Sequence, residues 1–135
     1  MIIKPDGYSL NVLPLVLFRL EMLRPSRVRA IRIDTRRLTH RDVKFLYGRY
    51  AKEPFYKSNQ QFMMSGPVMI IELVGNHAVS RVRKLVGEAK GLKYPAGTIR
   101  WQFASPTVKR RNVVHCSDST ENAMKELANF FPKEL

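Results

Sequence analysis

The chain has 135 residues, of which 44% are hydrophobic, so it is long enough to form a single domain, residues 1–135, with its own core. Its one cysteine excludes a disulfide framework and a zinc site built from several cysteines, and it favours a reducing compartment such as the cytoplasm. The 24 basic residues outnumber the 11 acidic ones and give a net charge of +13, which indicates anionic partners, either nucleotide phosphates or nucleic acid.

The first part of the sequence predicts two strands and three helices. A strand over residues 1–4 stops at Pro5-Asp6-Gly7, three residues that favour a turn. A helix over about residues 11–23 follows, which Asn11 caps. The next strand, over residues 28–33, has one solvent-exposed face and carries Val28, Ala30, Ile31 and Ile33 on the other. It is followed by a helix over about residues 39–50, which Thr39 caps, and by a short helix over about residues 55–64.

The second part predicts two more strands and two more helices around a long loop. An apolar strand over residues 68–74 follows the turn Ser65-Gly66-Pro67. Asn76 then caps a helix in which Val79, Val82 and Val86 form the buried stripe. A loop over residues 88–111 leads to a short strand that ends at His115 and to a helix over residues 120–131. Loops as long as this one in compact domains are usually functional.

The order of these elements contains two βαβ units. Two such units suggest a ferredoxin-like plait, an α+β fold in which helices pack on a four-stranded antiparallel sheet. Hydrophobic periodicity does not by itself fix the order of the strands.

A histidine ends the short β-branched run near the C-terminus. Ser117, Asp118 and Ser119 follow His115 and lead into the last helix, which Asp118 or Ser119 is expected to cap. The strand fixes the imidazole, and the polar turn can hydrogen-bond it and the group that it attacks. Because a neutral imidazole has a reference pKa of about 6.5, it is largely unprotonated and nucleophilic at pH ~7. The segment therefore suggests a nucleophile for covalent catalysis.

Glu126 is the candidate partner of this histidine. In the last helix it lies on the same side as the inward stripe of Ala123, Leu127 and Phe130. A carboxylate in that position is costly unless another group pairs with it, and His115 is within plausible reach. From these residues alone, a histidine with a structural role in the core is favoured over a catalytic one, with Glu126 at the solvent-exposed edge of the stripe.

Four segments occur in a fixed order along nearly the whole chain. They are Ile2-Ile3-Lys4-Pro5-Asp6-Gly7, Phe62-Met63-Met64-Ser65-Gly66-Pro67-Val68, Gly97-Thr98-Ile99-Arg100 and Asn112-Val113-Val114-His115-Cys116-Ser117-Asp118-Ser119. Together they resemble the nucleoside diphosphate kinases, and four ordered motifs are far more specific than any one of them. The resemblance implies an enzyme in which His115 carries a phosphoryl group from one nucleotide to another.

The resemblance also implies roles for the residues that match the family's motifs. It places Glu126 as the group that orients the histidine and Ser117 as the group that orients Glu126. The other matches are Tyr47 near the histidine, Phe55 under the base, Asn112 at the sugar hydroxyls, and Lys4, Arg83 and Arg100 at the phosphates. Most of the basic residues must be solvated, and without the family a core position would be the better interpretation of Tyr47 and Phe55.

Several positions depart from the family's pattern. Ala89 lacks a hydroxyl that would meet a phosphate, although Lys90 could supply charge instead, and Trp101-Gln102 replaces Gly-Asp after Arg100. The other departures are Asn59 in place of an apolar residue of the base cleft, Arg49 in place of an acidic residue associated with the metal's water shell, and Cys116 in place of a glycine. Altered nucleotide affinity is therefore expected rather than loss of activity.

The expected substrates are nucleoside diphosphates and triphosphates, typically ATP as donor. Mg²⁺ is the expected cofactor and would arrive on the nucleotide, because His40, His77 and His115 lack the spacing of metal ligands. The resemblance implies a cytoplasmic homo-oligomer, a hexamer or a tetramer. The apolar run at residues 12–18 is too short to span a membrane. Weak, non-specific nucleic-acid binding is expected from the charge alone. Two alternatives remain: a basic nucleic-acid-binding protein on the same fold, which would use the charge of +13 and aromatic residues such as Trp101 and Tyr94, and a regulatory family member with reduced catalysis.

Overall fold

The computed structural model describes residues 1–88 and 91–133. The strands are β1 (Ile2–Ile3), β2 (Arg29–Arg36), β3 (Val68–Val74) and β4 (Val114–His115). The helices are α1 (Pro5–Ser9), α2 (Leu13–Glu21), α3 (His40–Tyr47), α4 (Tyr56–Met63), α5 (Ala78–Val86), α6 (Ile99–Phe103) and α7 (Thr120–Phe130), with a 3₁₀ turn at Gly48–Tyr50 after α3. Within these residues, no helix is long and apolar enough to cross a membrane.

The four strands form one antiparallel sheet in the order β2-β3-β1-β4. The short β1 strand lies in the middle, where Ile2 is opposite Ile70 of β3 on one side and His115 of β4 on the other. β3 therefore lies between the two strands of the first βαβ unit, β1 and β2, and β1 lies between the two strands of the second unit, β3 and β4. This is the split arrangement of a ferredoxin-like plait. The predicted α+β fold class is confirmed.

The sheet is covered on both faces because side chains alternate along each strand. Ile2 and Ile70 join a cluster with residues of α3, α4 and α7, whereas Ile3 and Ile71 join a second cluster with residues of α2, α5 and α6. The central strands are thus apolar on both faces, which explains why residues 68–74 are an almost continuous apolar run.

The segment predicted as a turn after β1 is instead the start of helix α1. Proline is tolerated in the first turn of a helix, where its missing N–H has no partner to lose. Gly7 is required by a close approach, because a Cβ at this position would lie 2.5 Å from the carbonyl oxygen of Val113. The motif that contains Lys4, Pro5, Asp6 and Gly7 therefore packs α1 directly against the segment before β4.

Some local predictions are confirmed and others are wrong. Thr39 begins α3 with a complete capping box, and Ser119 caps α7. Asn11 and Asn76 do not cap, since Asn11 has a left-handed backbone with φ of 53° and the residues that precede α2 and α5 are Val12 and His77. The predicted long loop contains a further helix, α6.

The expectation that Ile31 and Ile33 are buried with Val28 and Ala30 is also wrong. Their exposed fractions are 50% and 45%. Ile31 is the extra residue of an irregularity between Ala30 and Arg32, so it has no partner on β3. Ile33 lies opposite the buried Ile71, but β2 is the edge strand of the sheet, so Ile33 stays partly exposed.

Candidate active site

His115 lies at the end of β4, and the chain that leads to it is held in an unusual conformation. Val113 has a φ of 63°, which is rare for a β-branched residue. Two hydrogen bonds hold it: the backbone N–H of Lys4 donates to the Val113 carbonyl at 2.9 Å, and the Val113 N–H donates to the carboxylate of Asp6 at 3.0 Å. The first motif of the chain thus fixes the approach to His115.

His115, Glu126 and Ser117 form one connected group. The Nε2 atom of His115 lies 2.8 Å from Oε1 of Glu126, and the hydroxyl of Ser117 donates to Oε2 of the same carboxylate. Only 16% of the His115 side chain and 18% of the Glu126 side chain are exposed. The pairing predicted from the spacing along α7 is therefore present, and the carboxylate has a partner on each oxygen.

Tyr47, at the end of α3, contacts the other nitrogen of the imidazole. Its hydroxyl lies 3.2 Å from Nδ1 of His115. Because a carboxylate can only accept, Glu126 requires the proton on Nε2, and the lone pair of Nδ1 then accepts from the Tyr47 hydroxyl. Burial raises the pKa of Tyr47, so this hydroxyl stays protonated. The geometry leaves Nδ1 as the basic nitrogen.

The protonation states of the pair follow from burial and from their contact. Burial lowers the pKa of His115, although the hydrogen bond and the charge of Glu126 oppose this shift. Burial would raise the pKa of Glu126, but the hydrogen bonds from His115 and Ser117, together with the electrostatic interaction with His115, lower it below its usual value. Near neutral pH the pair is a neutral imidazole beside a carboxylate.

Lys4 is a buried lysine that contacts Asn112. Its ammonium group donates to the side-chain oxygen of Asn112 at 2.9 Å and to the carbonyl of Arg110. Only 5% of Lys4 is exposed. Burial, above all, lowers the pKa of Lys4 to about 7. Two residues that the sequence assigned to nucleotide binding are therefore in direct contact.

Lys4→Met is expected to change how stability depends on pH. A lysine whose pKa is lower in the folded than in the unfolded chain costs stability most below pH ~7, and this cost decreases as the pH rises from about 7 towards 10.5. The free energy of unfolding of the natural chain should therefore rise, relative to that of Lys4→Met, between about pH 7 and pH 9. Urea unfolding at each pH measures the difference.

The control for this prediction is Lys44→Met, which changes an exposed lysine of α3. It should show no such pH dependence. A constant difference between the natural chain and Lys4→Met across this range would contradict the low pKa of Lys4.

The two predicted arginines hold the backbone around His115. The guanidinium of Arg100 donates to the carbonyls of Gly87, at 3.0 Å, and Val114, at 2.6 Å. Arg83 pairs with Glu88 and donates to the carbonyl of Ser117 at 3.4 Å. Both arginines therefore lie beside residues that flank His115. Positive charge at this position could act on a phosphate that is bound at the histidine.

A cleft of about 550 Å³ opens beside His115, between the end of α3 and α7. Four of the predicted residues line it: Tyr47, Arg83, His115 and Glu126. The other predicted residues do not. Lys4, Asn112 and Arg100 are held in the contacts described above, and Phe55 lies at the start of α4 with its ring 5.7 Å from that of Tyr50.

The cleft also contains residues to which the sequence assigned no role in binding. They are Phe45, Leu46, Tyr50, Asn122 and Lys125, together with Arg49, Cys116 and Asp118. The spacing of α7 could have identified Asn122, which precedes Glu126 by one helical turn. No local signal joins Arg49 to Asp118, because the two residues are far apart in the sequence.

The remaining departures have different positions. Asn59 is buried within α4, whereas Trp101 in α6 is 58% exposed and Gln102 is exposed beside it. The expectations for Ala89 and Lys90 fall outside the described residues. Within the described ranges, no group of three or more histidine, cysteine, aspartate or glutamate side chains could hold a metal ion.

The chain is similar to known proteins over nearly its whole length. The family profile described as "Nucleoside diphosphate kinase" matches residues 1–135. A protein from Anaeromyxobacter sp. strain Fw109-5 named nucleoside diphosphate kinase is 38% identical over 132 residues, which are 98% of this chain and 87% of the relative. The crystallised nucleoside diphosphate kinase of Aquifex aeolicus is similar with a TM-score of 0.82 and 31% identity, covering 96% of this chain and 91% of that one.

A further solved structure is that of a nucleoside diphosphate kinase from Halobacterium salinarum in complex with CDP. It matches with a TM-score of 0.87 and 25% identity, over 98% of this chain and 85% of that one.

Proposed function

This chain belongs to the nucleoside diphosphate kinase family, and on that premise we propose that it transfers the γ-phosphoryl group of a nucleoside triphosphate, typically ATP, to a nucleoside diphosphate through a phosphohistidine at His115. The observation that carries the proposal is the His115–Glu126 hydrogen bond of 2.8 Å beside an open cleft. The relative solved with CDP supports a nucleotide as the ligand.

In the first half of the reaction, the lone pair of Nδ1 attacks the γ-phosphorus of the donor. The new N–P bond forms while the bond from phosphorus to the bridging oxygen breaks, and the nucleoside diphosphate leaves with that oxygen and its negative charge. The second half is the reverse reaction with an acceptor diphosphate. Glu126 stabilises the positive charge that develops on the imidazole, and Ser117 holds Glu126 in place.

Phosphoryl transfer otherwise requires positioning and positive charge around the transferring group. We assign Lys4, Arg83 and Arg100 to that charge, since all three lie next to the segment that carries His115. The Tyr47 hydroxyl can donate to a phosphate oxygen once Nδ1 is bonded to phosphorus. Asn112 and Phe55 are assigned to the sugar and the base.

The carboxylates of the cleft fit a metal ion that binds together with the nucleotide. Two carboxylates line the cleft, and each already has partners: Glu126 bonds to His115 and Ser117, and Asp118 bonds to Arg49 and Asn122. Mg²⁺ is commonly bound by phosphates with only one or two carboxylates. We therefore propose that Mg²⁺ enters as part of the nucleotide substrate, where it neutralises phosphate charge.

The test of the proposed function is GTP formation from ATP and GDP with Mg²⁺. A mechanism in which the donor product leaves before the acceptor binds gives parallel lines in double-reciprocal plots at several GDP concentrations. Intersecting lines would show direct transfer between two bound nucleotides and would contradict the covalent step.

Nucleic-acid binding is the second candidate function, and a cluster of arginines favours it. Six arginines lie along the edge strand β2 and its flanks: Arg24, Arg27, Arg29, Arg32, Arg36 and Arg37. We expect weak binding at low salt that falls to a Kd of about 10⁻⁴ to 10⁻⁶ M at physiological ionic strength, with little sequence preference. Fluorescence anisotropy with labelled DNA and RNA at several salt concentrations measures it.

Binding that stays tight near ~0.2 M salt, discriminates between sequences and persists in His115→Asn would make nucleic-acid recognition the main function.

A regulatory role with reduced catalysis is the other form of this alternative. We further propose a single domain over residues 1–135, from the length and composition of the chain, and a cytoplasmic location, from its single cysteine. We also propose a homo-oligomer, a hexamer or a tetramer, because the family resemblance implies it. Analytical ultracentrifugation measures the oligomeric state.

A further inference from the structure

Arg49 reaches across the mouth of the cleft that contains His115. It lies in the 3₁₀ turn after α3 and lines the cleft together with Arg83 and His115. Its guanidinium pairs with Asp118, which lies in the turn before α7, at 3.4 Å. A cation therefore connects the two walls of the cleft that contains the histidine.

The ion pair of Arg49 with Asp118 is weak. The side chains are 60% and 38% exposed, and exposed ion pairs at this distance contribute little because water screens them. The guanidinium also lies 4.9 Å from the ring centroid of Tyr50, a cation–π contact that keeps it at the cleft. Arg49 can therefore exchange Asp118 for a stronger partner without leaving this position.

We propose that Arg49 is a phosphate-binding residue of this enzyme, which exchanges Asp118 for the phosphates of the bound nucleotide. The inference rests on the proposed function and adds a residue to it. A planar guanidinium presents paired N–H donors that match phosphate oxygens, and such charge-assisted bonds are stronger than an exposed ion pair.

The position of Arg49 favours phosphate over other parts of a nucleotide. On one side it contacts Tyr50, whose ring lies against Phe55, the residue assigned to the base. On the other side it shares the cleft with His115, where the terminal phosphate must lie. The phosphate chain of a nucleotide that spans these two points passes Arg49. Lys125, a further cation of the cleft, pairs with Glu121 at 2.7 Å.

The experiment compares the Kd of ADP for four variants by isothermal titration calorimetry. Arg49→Ala should weaken ADP binding about 10- to 100-fold, the usual effect of removing one charge-assisted hydrogen bond, and Arg49→Lys should recover part of the loss. Asp118→Asn should bind ADP at least as tightly as the natural chain, since it removes the negative charge that competes for Arg49 and keeps a side-chain oxygen that can accept from Asn122. Arg41→Ala, an exposed arginine of α3, is the matched control and should have no effect.

Two results would overturn the inference. An unchanged Kd in Arg49→Ala would show that this residue does not touch the phosphates. Equal weakening in Arg49→Ala and Asp118→Asn would show that Arg49 only holds the turn before α7. Because the readout is binding, it is separate from the transfer assay: if the natural chain binds ADP but does not form GTP, the proposed function fails and the inference about Arg49 does not.

Discussion

His115→Asn is expected to reduce phosphoryl transfer from ATP to GDP to the background level, a loss of roughly 10⁴-fold or more. The reason is chemical, because an amide nitrogen has no lone pair available for attack on phosphorus. Asparagine is polar and smaller than histidine, so the fold should survive, and circular dichroism checks this. The transfer assay with GDP as acceptor measures the effect.

His40→Asn is the matched control, because His40 is exposed at the first position of α3. It should retain full activity. Transfer that persists in His115→Asn at a substantial rate would assign the nucleophile to another residue.

Glu126→Gln is expected to lower the rate of transfer by roughly 10- to 1000-fold without abolishing it. The amide keeps the shape of the carboxylate but loses the negative charge that stabilises a positive imidazole. Glu126 also raises the pKa of His115 by its hydrogen bond and its charge, so the pKa of His115 should fall further in the variant. Steady-state kinetics and an NMR titration of His115 measure the two effects.

Two further variants test whether this effect belongs to the site. Glu121→Gln changes an exposed carboxylate of the same helix and should leave both the rate and the pKa of His115 unchanged. Ser117→Ala removes the hydroxyl that donates to Glu126. Because Ser117 acts through Glu126, the double variant should lose less activity than the product of the two single losses. A natural rate in Glu126→Gln would restrict Glu126 to a structural role.

The parts of the fold that could be predicted from the sequence depend on local chemistry. The strand Val68–Val74 follows from its apolar run, and the start of α3 follows from the capping box of Thr39 with Asp42. The exposure of Ile31 could not be predicted, because it depends on a bulge in the pairing with β3. The left-handed backbone of Val113 is similarly imposed by Asp6, a distant partner in the sequence.

The same distinction applies to the candidate site. Helical spacing puts Glu126 on the inward side of α7, and His115 ends the preceding strand, so the sequence made Glu126 a candidate partner. The family resemblance was needed to prefer this pair over a structural histidine. The contact of Tyr47 with Nδ1 joins residues 68 positions apart, so no periodicity could reveal it, and the family resemblance supplied Tyr47 instead. Arg49 was visible only as a departure from the family's pattern, and its position in the cleft required the packing of α3 against α7.

The central claim is that His115 becomes covalently phosphorylated. Incubation of the purified chain with γ-labelled ATP and Mg²⁺, without an acceptor, tests it most directly. We predict a label that is equimolar with the chain, that is lost in acid but stable in base, as a phosphoramidate should be, and that moves to added GDP. The absence of label, or a label that is stable in acid and does not move to GDP, would contradict a phosphohistidine intermediate.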